Sequence, residues 1–399
     1  MNTVLVLASV HFLVDAYGNV LVPLLPLLIT KLGLSLAAVG ALQMCFQIAM
    51  SFAQLGFGHI ADRWRPRMLL IAGPIVSLAV LPLVGLSTSV WMLAGILVVG
   101  GLGVAAFHPP AAALVHHVSS RRQGFAMALH ITGGSLGTAL APLAFAPAAQ
   151  YLGLSSTALF VAPAALALVF LLRRIPRLER SHEQRTETGL AALRPYARPL
   201  TLLYLTVVLR TLTATSVATF APIMLTRRDM TVAQAGFAVA AYLFASSVGG
   251  FLGGPLADRY GARLVILASL ASSVPFLAAA PWLSGWTLVV VLAAGGFLLQ
   301  STLPVNVTFA QTIAPISAAT VSSLMMGFAW GTGGLMVPLV GLVADRIGIE
   351  QALSILAAAP LLAAALAMAL PAGKHVHSAP LASPVSTAEV AGTDVAPDV

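Results

Sequence analysis

Polar residues along this chain are spaced so that long apolar stretches lie between them, near 4–29, 36–57, 67–87, 91–114, 123–147, 154–172, 199–225, 234–256, 263–282, 286–308, 320–343 and 350–371. Each approaches the roughly 20 residues a helix needs to cross a bilayer. None alternates apolar with polar at the period of a half-buried strand, and a helix satisfies its own backbone groups where hydrocarbon offers no partner. The pattern predicts an all-α membrane protein of twelve transmembrane helices, built as two pseudo-symmetric six-helix bundles. Residues 1–172 are expected to form the first bundle, 173–198 a cytoplasmic linker of Arg, Glu, Ser and Thr, and 199–371 the second bundle. The Ser/Ala/Pro/Thr/Val-rich stretch 372–399 reads as a disordered cytoplasmic tail.

A repeat supports the division. Gly58 to Arg67 (GHIADRWRPR) returns at Gly254 to Arg263 (GPLADRYGAR), and its aspartates Asp62 and Asp258 stand 196 positions apart, about half of the 399 residues. Thr132-Gly133-Gly134 returns 200 positions later as Thr332-Gly333-Gly334.

Composition agrees with a membrane solvent. Hydrophobic residues make up 59% of the chain, charged residues 8%, and the mean hydropathy is +0.97. The net charge of +8 comes from cations placed mainly in the breaks between spans, so it points to topology in an anionic-lipid membrane and away from nucleic acid. Counting loops alternately, fifteen of the 20 Lys and Arg fall on one side and four on the other, with Arg210 inside a span. The positive-inside rule then places both termini and both repeat loops in the cytoplasm. Cys45 is the single cysteine, which excludes an intramolecular disulfide. The first apolar run carries Asp15 and continues past Pro23 and Pro26 without a small-residue cleavage pattern, so it reads as a retained helix.

Ionisable groups inside spans cost about 2.5–3.5 kcal/mol each at the bilayer centre, so few persist without a use. His11, Asp15 and Asn19 are spaced i, i+4, i+8 on one face of the first helix. Asp15 is the acidic side chain set well inside a predicted span, and it suits either proton coupling and gating or a structural hydrogen-bonding role. The seventh helix carries Thr206, Arg210 and Thr213 as one short polar stripe. Arg210 needs an acceptor, and three readings are open: Asp15 as a partner that comes and goes, an anionic substrate, or a static ion pair. His108 opens a Phe107-His108-Pro109-Pro110 break in the fourth helix, and His130 precedes the first Thr-Gly-Gly. Each histidine reads as a substrate or proton contact, or as a satisfied structural group. Gln43, Gln47 and Gln54 read as inter-helix hydrogen-bonding residues. No metal-ligand spacing, phosphate loop or nucleophile motif is present; His116-His117 reads as a surface pair.

The duplicated Gly-x-(Leu/Ile)-Ala-Asp-Arg resembles the loop signature of the major facilitator superfamily, which lies between the second and third helices of each six-helix half. The resemblance implies the major facilitator fold and alternating access of one bundle against the other. It gives Gly58, Asp62, Arg63, Arg67, Gly254, Asp258, Arg259 and Arg263 a cytoplasmic gating role, the alternative being a charge cluster that only sets topology. Gly58 and Gly254 would allow close backbone approach between halves. The first loop departs from the pattern at Trp64-Arg65-Pro66-Arg67, where a glycine is usual. The copy at Gly341 to Gly348 (GLVADRIG) is partial and falls on the external side, so it is given a structural role. Gly133, Gly137 and Pro142, mirrored by Gly331, Gly334 and Pro338, resemble the glycine-proline motif of the superfamily's exporters, which lets helices approach and bend. His11 to Leu28, Gly101 to Val115 and Ala128 to Pro142 look like the fosmidomycin-resistance group. That group implies a proton-driven efflux carrier of the bacterial inner membrane, a monomer with no cofactor and no metal, exporting a small, anionic drug or metabolite by antiport. An importer or exporter of sugars or other solutes, a non-transporting membrane sensor and a metal-dependent intramembrane enzyme are the rival readings.

Overall fold

A computed structural model describes residues 2–63, 66–118, 123–174, 190–315 and 318–371. The described residues are almost wholly helical and contain no strand. Eleven helical segments are long and apolar enough to cross a membrane. We label them α1 (Thr3–Leu32), α2 (Leu36–Ala61), α3 (Pro66–Leu86), α4 (Val90–Val115), α6 (Leu154–Leu172), α7 (Leu193–Thr226), α8 (Val232–Tyr260), α9 (Ala262–Trp282), α10 (Gly285–Ile313), α11 (Thr320–Ile347) and α12 (Ile349–Met368). The twelfth, α5 (Gln123–Leu152), has 30 residues and length to spare. Its His130, Thr132, Ser135, Thr138 and four glycines lower its hydropathy. The order is the predicted six and six.

Several spans are interrupted where the sequence removes a backbone donor or bends the chain. α1 breaks after Gly18 and resumes at Leu21, α10 turns at Ser301-Thr302 ahead of Pro304, and α11 is broken at Met336 ahead of Pro338. α11 is thus interrupted in the turn before Pro338, whereas α5 runs through Pro142 as one helix. The expected break at Phe107-His108-Pro109-Pro110 is also absent: the helix Val90–Val118 continues through both prolines. A proline's fixed φ fits a helix, and buried membrane helices tolerate the lost donor where neighbours take up the slack.

The repeated Thr-Gly-Gly has a repeated task. A Cβ on Gly133 would strike the Ala8 backbone of α1, and one on Gly333 would lie 2.8 Å from the Val208 carbonyl of α7. Gly137 likewise abuts the Phe12 carbonyl. Thus α1 packs on α5 and α7 on α11, the same pairing in each half.

Two seams between the halves lie towards the end away from the repeat loops. In the first, α2 meets α11: a Cβ on Gly40 would sit 2.6 Å from Pro338 Cα, and Gly341 abuts the Leu36 carbonyl. Phe52 and Phe328 close this seam edge to face at 5.6 Å, each inside a π-helical turn, Ile48–Phe52 and Leu324–Phe328. In the second, the Gln150 amide oxygen of α5 accepts from Ala233 N of α8 at 2.8 Å, and Gly236 lies against Ala146. The expected approach of Gly58 and Gly254 across the halves is not seen. Gly58 has only Pro109 of its own half nearby and Gly254 has nothing, because the bundles diverge towards that end.

The partial repeat copy supplies the charged contact of the closed end. Asp345 Oδ1 accepts from Leu36 N and Oδ2 from Ala37 N, both at 2.9 Å, while Ser35 Oγ accepts from Ala38 N at 3.1 Å. Three of the four amides left open at the start of α2 are thereby satisfied, two of them by an anion from the other half placed at the positive end of a helix. Replacing Asp345 with Ala removes about 1–2 kcal/mol from this end, enough to shift the closed-to-open ratio about 5- to 30-fold. Spin labels at Thr30→Cys and Ile347→Cys in a Cys45→Ala background should then show a larger long-distance population; an unchanged distance distribution contradicts the assignment.

Candidate functional site

Four of the ionisable residues singled out in the sequence meet in the first bundle. His11 and Asp15 stand one turn apart on α1, His108 arrives from α4 and His130 from α5. His11 Nε2 lies 3.2 Å from Asp15 Oδ2, and His108 Nε2 lies 3.1 Å from Asp15 Oδ1. His11 Nδ1 is 2.8 Å from the His130 carbonyl. Ring centroids separate by 5.0 Å for His11 and His108 and by 4.3 Å for His11 and His130.

Donor chemistry fixes the protons. A carbonyl only accepts, so His11 carries a hydrogen on Nδ1. The contact between His11 Nε2 and Asp15 Oδ2 then needs one more proton, held on the imidazole or on the carboxyl. Without it a lone pair would face a carboxylate. His108 Nε2 meets Asp15 Oδ1 as an N–H donor. This arrangement is that of a proton-loaded cluster.

Space for the cluster comes from Gly134, where a Cβ would lie 2.5 Å from both Asp15 Oδ2 and His11 Nε2. Asn19 is not part of it: its Nδ2 donates to the Thr138 carbonyl at 2.9 Å, next to the break in α1. His130 is buried with no partner for Nδ1.

Arg210 lies in the second bundle, 2% exposed, and does not pair with Asp15. Its Nη1 donates to the Gln300 amide oxygen of α10 and its Nη2 to Thr211 Oγ1 at 3.0 Å. Trp330 of α11 offers its ring face at 5.8 Å, and Nε has no partner. Among the described residues no carboxylate pairs with this guanidinium. The expected stripe is also revised: Thr206 and Thr213 bond back to the Leu202 and Leu209 carbonyls of their own helix. A threonine's hydroxyl reaches the carbonyl one turn back, which removes both from the site.

The residues assigned a gating role from the repeat are dispersed. Asp258 and Arg259 are exposed, Arg259 over the Tyr260 ring at 5.2 Å. Arg263 donates to the Met368 carbonyl at the end of α12, and Arg67 is exposed. The side chains of Asp62 and Arg63, with Trp64, Arg65, most of the linker and the tail, lie outside the described residues. Gln43 and Gln47 are buried near the α2–α11 seam, where Gly334 abuts Gln47.

Sequence reasoning missed Thr211, Gln300, Trp330 and Gly134. Gln300 left a trace as an isolated polar residue in the apolar α10. Gly134 was marked only as part of the repeated Thr-Gly-Gly, since its place beside the cluster is a contact with another helix.

The Major Facilitator Superfamily profile matches residues 7–231 and 203–393. The chain belongs to the major facilitator superfamily. It is therefore a multi-pass membrane transporter, not an enzyme, with a small molecule as its cargo. It is 30% identical over 375 residues to the fosmidomycin resistance protein of Escherichia coli (strain K12), across 92% of this chain and 91% of that one. It is 28% identical over 319 residues to the multidrug resistance protein MdtG of Enterobacter lignolyticus (strain SCF1), covering 73% of this chain and 74% of that one. A bacterial homologue of the human lysosomal transporter Spinster, in an inward-facing and occupied conformation, superposes with a TM-score of 0.77 at 17% identity, covering 92% of this chain and 95% of that one. That likeness concerns the fold.

Gly134→Val should push His11 off Asp15 at a cost of about 1–3 kcal/mol and abolish transport at normal membrane abundance. Gly95→Ala, where a Cβ meets nothing within 4 Å, should leave transport intact. Equal transport by the two variants contradicts the packing role of Gly134.

Proposed function

We propose that this transporter is a proton-driven exporter of small anionic compounds of the fosmidomycin type, working as a monomer in the bacterial inner membrane with both termini cytoplasmic. The observation that carries the reading is Arg210, a buried permanent cation with an unused donor and no carboxylate partner among the described residues. A planar guanidinium in a dry setting is suited to a phosphonate or carboxylate. Similarity to the fosmidomycin resistance protein supports the same class of cargo.

The proton site is His11, Asp15 and His108. Because Asp15 has its own partners, it does not compete with the cargo for Arg210. Direct competition would favour proton and anion binding together, which is symport, so antiport requires exclusion through conformation. Each site packs against a helix that also forms a seam between the halves. α5, which holds His130 and Gly134, carries Gln150 and Ala146 at its seam with α8; α11, which holds Trp330, carries Pro338, Gly341 and Asp345 at its seam with α2. Loss of the shared proton leaves Nε2 and Oδ2 repelling at 3.2 Å, so His11 and Asp15, one turn apart on α1, reorient against Gly134 and the His130 carbonyl of α5. Anion binding draws α7, α10 and α11 together. Each event thereby biases which end of the cavity is open.

Efflux-deficient bacteria producing the wild type should resist fosmidomycin, and Asp15→Asn and Arg210→Ala at matched membrane levels should each be sensitive. An uncoupler should remove the wild-type protection. No protection by well-expressed wild type overturns the assigned cargo.

A further inference from the structure

The His11, Asp15 and His108 cluster has the donor set and spacing of a transition-metal site, although no sequence motif announced one. The three residues offer two imidazole nitrogens and one carboxylate oxygen, all within 4.8 Å of one another. We propose that the cluster binds one divalent d-block ion, Zn2+ or Co2+, through His11 Nε2, His108 Nε2 and Asp15, in place of the proton that His11 and Asp15 share.

Two features beyond proximity support this. The first is the orientation of His11. Metal-bound histidines almost always donate the other ring N–H to a carbonyl or carboxylate, which fixes the tautomer and aims the free nitrogen at the ion. His11 Nδ1 already has the His130 carbonyl at 2.8 Å, leaving Nε2 aimed into the cluster. The second is access. The side chains of His11, Asp15 and His108 are 12%, 20% and 25% exposed, so an ion reaches them without unfolding the bundle. Bond lengths of about 2.0–2.2 Å to N and O ligands put neighbouring donors about 3.3–3.6 Å apart in a tetrahedron. His11 Nε2 and His108 Nε2 face different oxygens of Asp15, at 3.2 and 3.1 Å, and the three donors lie within 4.8 Å of one another, so side-chain rotation closes them on one ion.

The donor types decide which ion. Two imidazoles with a single carboxylate suit Zn2+, Co2+ or Ni2+, while Mg2+ and Ca2+ need more oxygen. Two neutral imidazoles and one carboxylate leave a bound divalent ion with one net positive charge and a fourth position for water. The ion ties α1 to α4, expels the proton shared by His11 and Asp15 and requires the His108 hydrogen to move from Nε2 to Nδ1, so about one proton is released per ion. It acts as an inhibitor at the site proposed above for the proton, and its binding is measured without any transport.

The experiment uses full-length protein purified in detergent with its affinity tag removed and titrated with Co2+ and Zn2+. Wild type should take up one ion per chain, show the intense visible d–d bands of low-coordinate Co2+, and release about one proton. Affinity should fall more than about 10-fold in His108→Gln, which keeps a polar side chain of similar size, and in Asp15→Asn, with thermal unfolding confirming that both variants fold. His59→Ala and the double replacement of His375 and His377 by Ala should leave binding unchanged. Absence of saturable binding by wild type, or binding that survives His108→Gln and disappears with the His375 and His377 replacements, overturns the proposal. Neither result bears on fosmidomycin resistance, so this proposal and the transport reading fail separately.

Discussion

The dominant constraint on this protein is that hydrocarbon supplies no hydrogen-bond partner and no counter-charge. Helix formation answers that demand for the backbone. For side chains each buried polar group must find a partner or be held for a ligand. Asp15 is satisfied by His11 of its own helix and His108 of α4, but Arg210 is only half satisfied, by an amide and a hydroxyl. A neutral amide does not offset the charge of a guanidinium. The remaining demand is the basis of the anion site proposed at Arg210.

The same constraint explains the placement of the seams. Helices in a membrane gain little from apolar contact alone, so close association relies on small residues and on polar groups that find each other. Gly40 against Pro338 and Gly236 against Ala146 provide the first, and Asp345 at the start of α2 with Gln150 at the start of α8 provide the second. At the repeat-loop end Gly58 and Gly254 keep the small size without a partner from the other half. Closing there while the Asp345 end parts is the motion that the proposed alternating access requires.

The fold was largely legible because span length and hydropathy leave one solution in a membrane, and because a duplicated decapeptide marks the two halves. Asp15, His11, His108 and Arg210 stood out for a similar reason: charge inside an apolar run is visible in one dimension. Their partners were not visible. That Asp15 turns to His108 and not to Arg210 depends on how α1, α4 and α7 are arranged in space. Asp345 was read as structural because it sits in a degraded repeat copy, yet its carboxylate reaches two amides of the other half. Span α5 shows the opposite case, in which the glycines, threonines and histidine that make the site also weaken the hydropathy signal of the helix that carries it.

The account's central claim is that the proton and the anion occupy separate sites, one in each bundle. Reconstituted protein assayed for fosmidomycin exchange at equal pH, and for accumulation driven by a pH gradient, tests it most directly. Asp15→Asn should retain exchange and lose gradient-driven accumulation, while Arg210→Gln should lose both. Loss of exchange in Asp15→Asn with its fold intact, or gradient-driven accumulation by Arg210→Gln, would contradict the separation of the two sites.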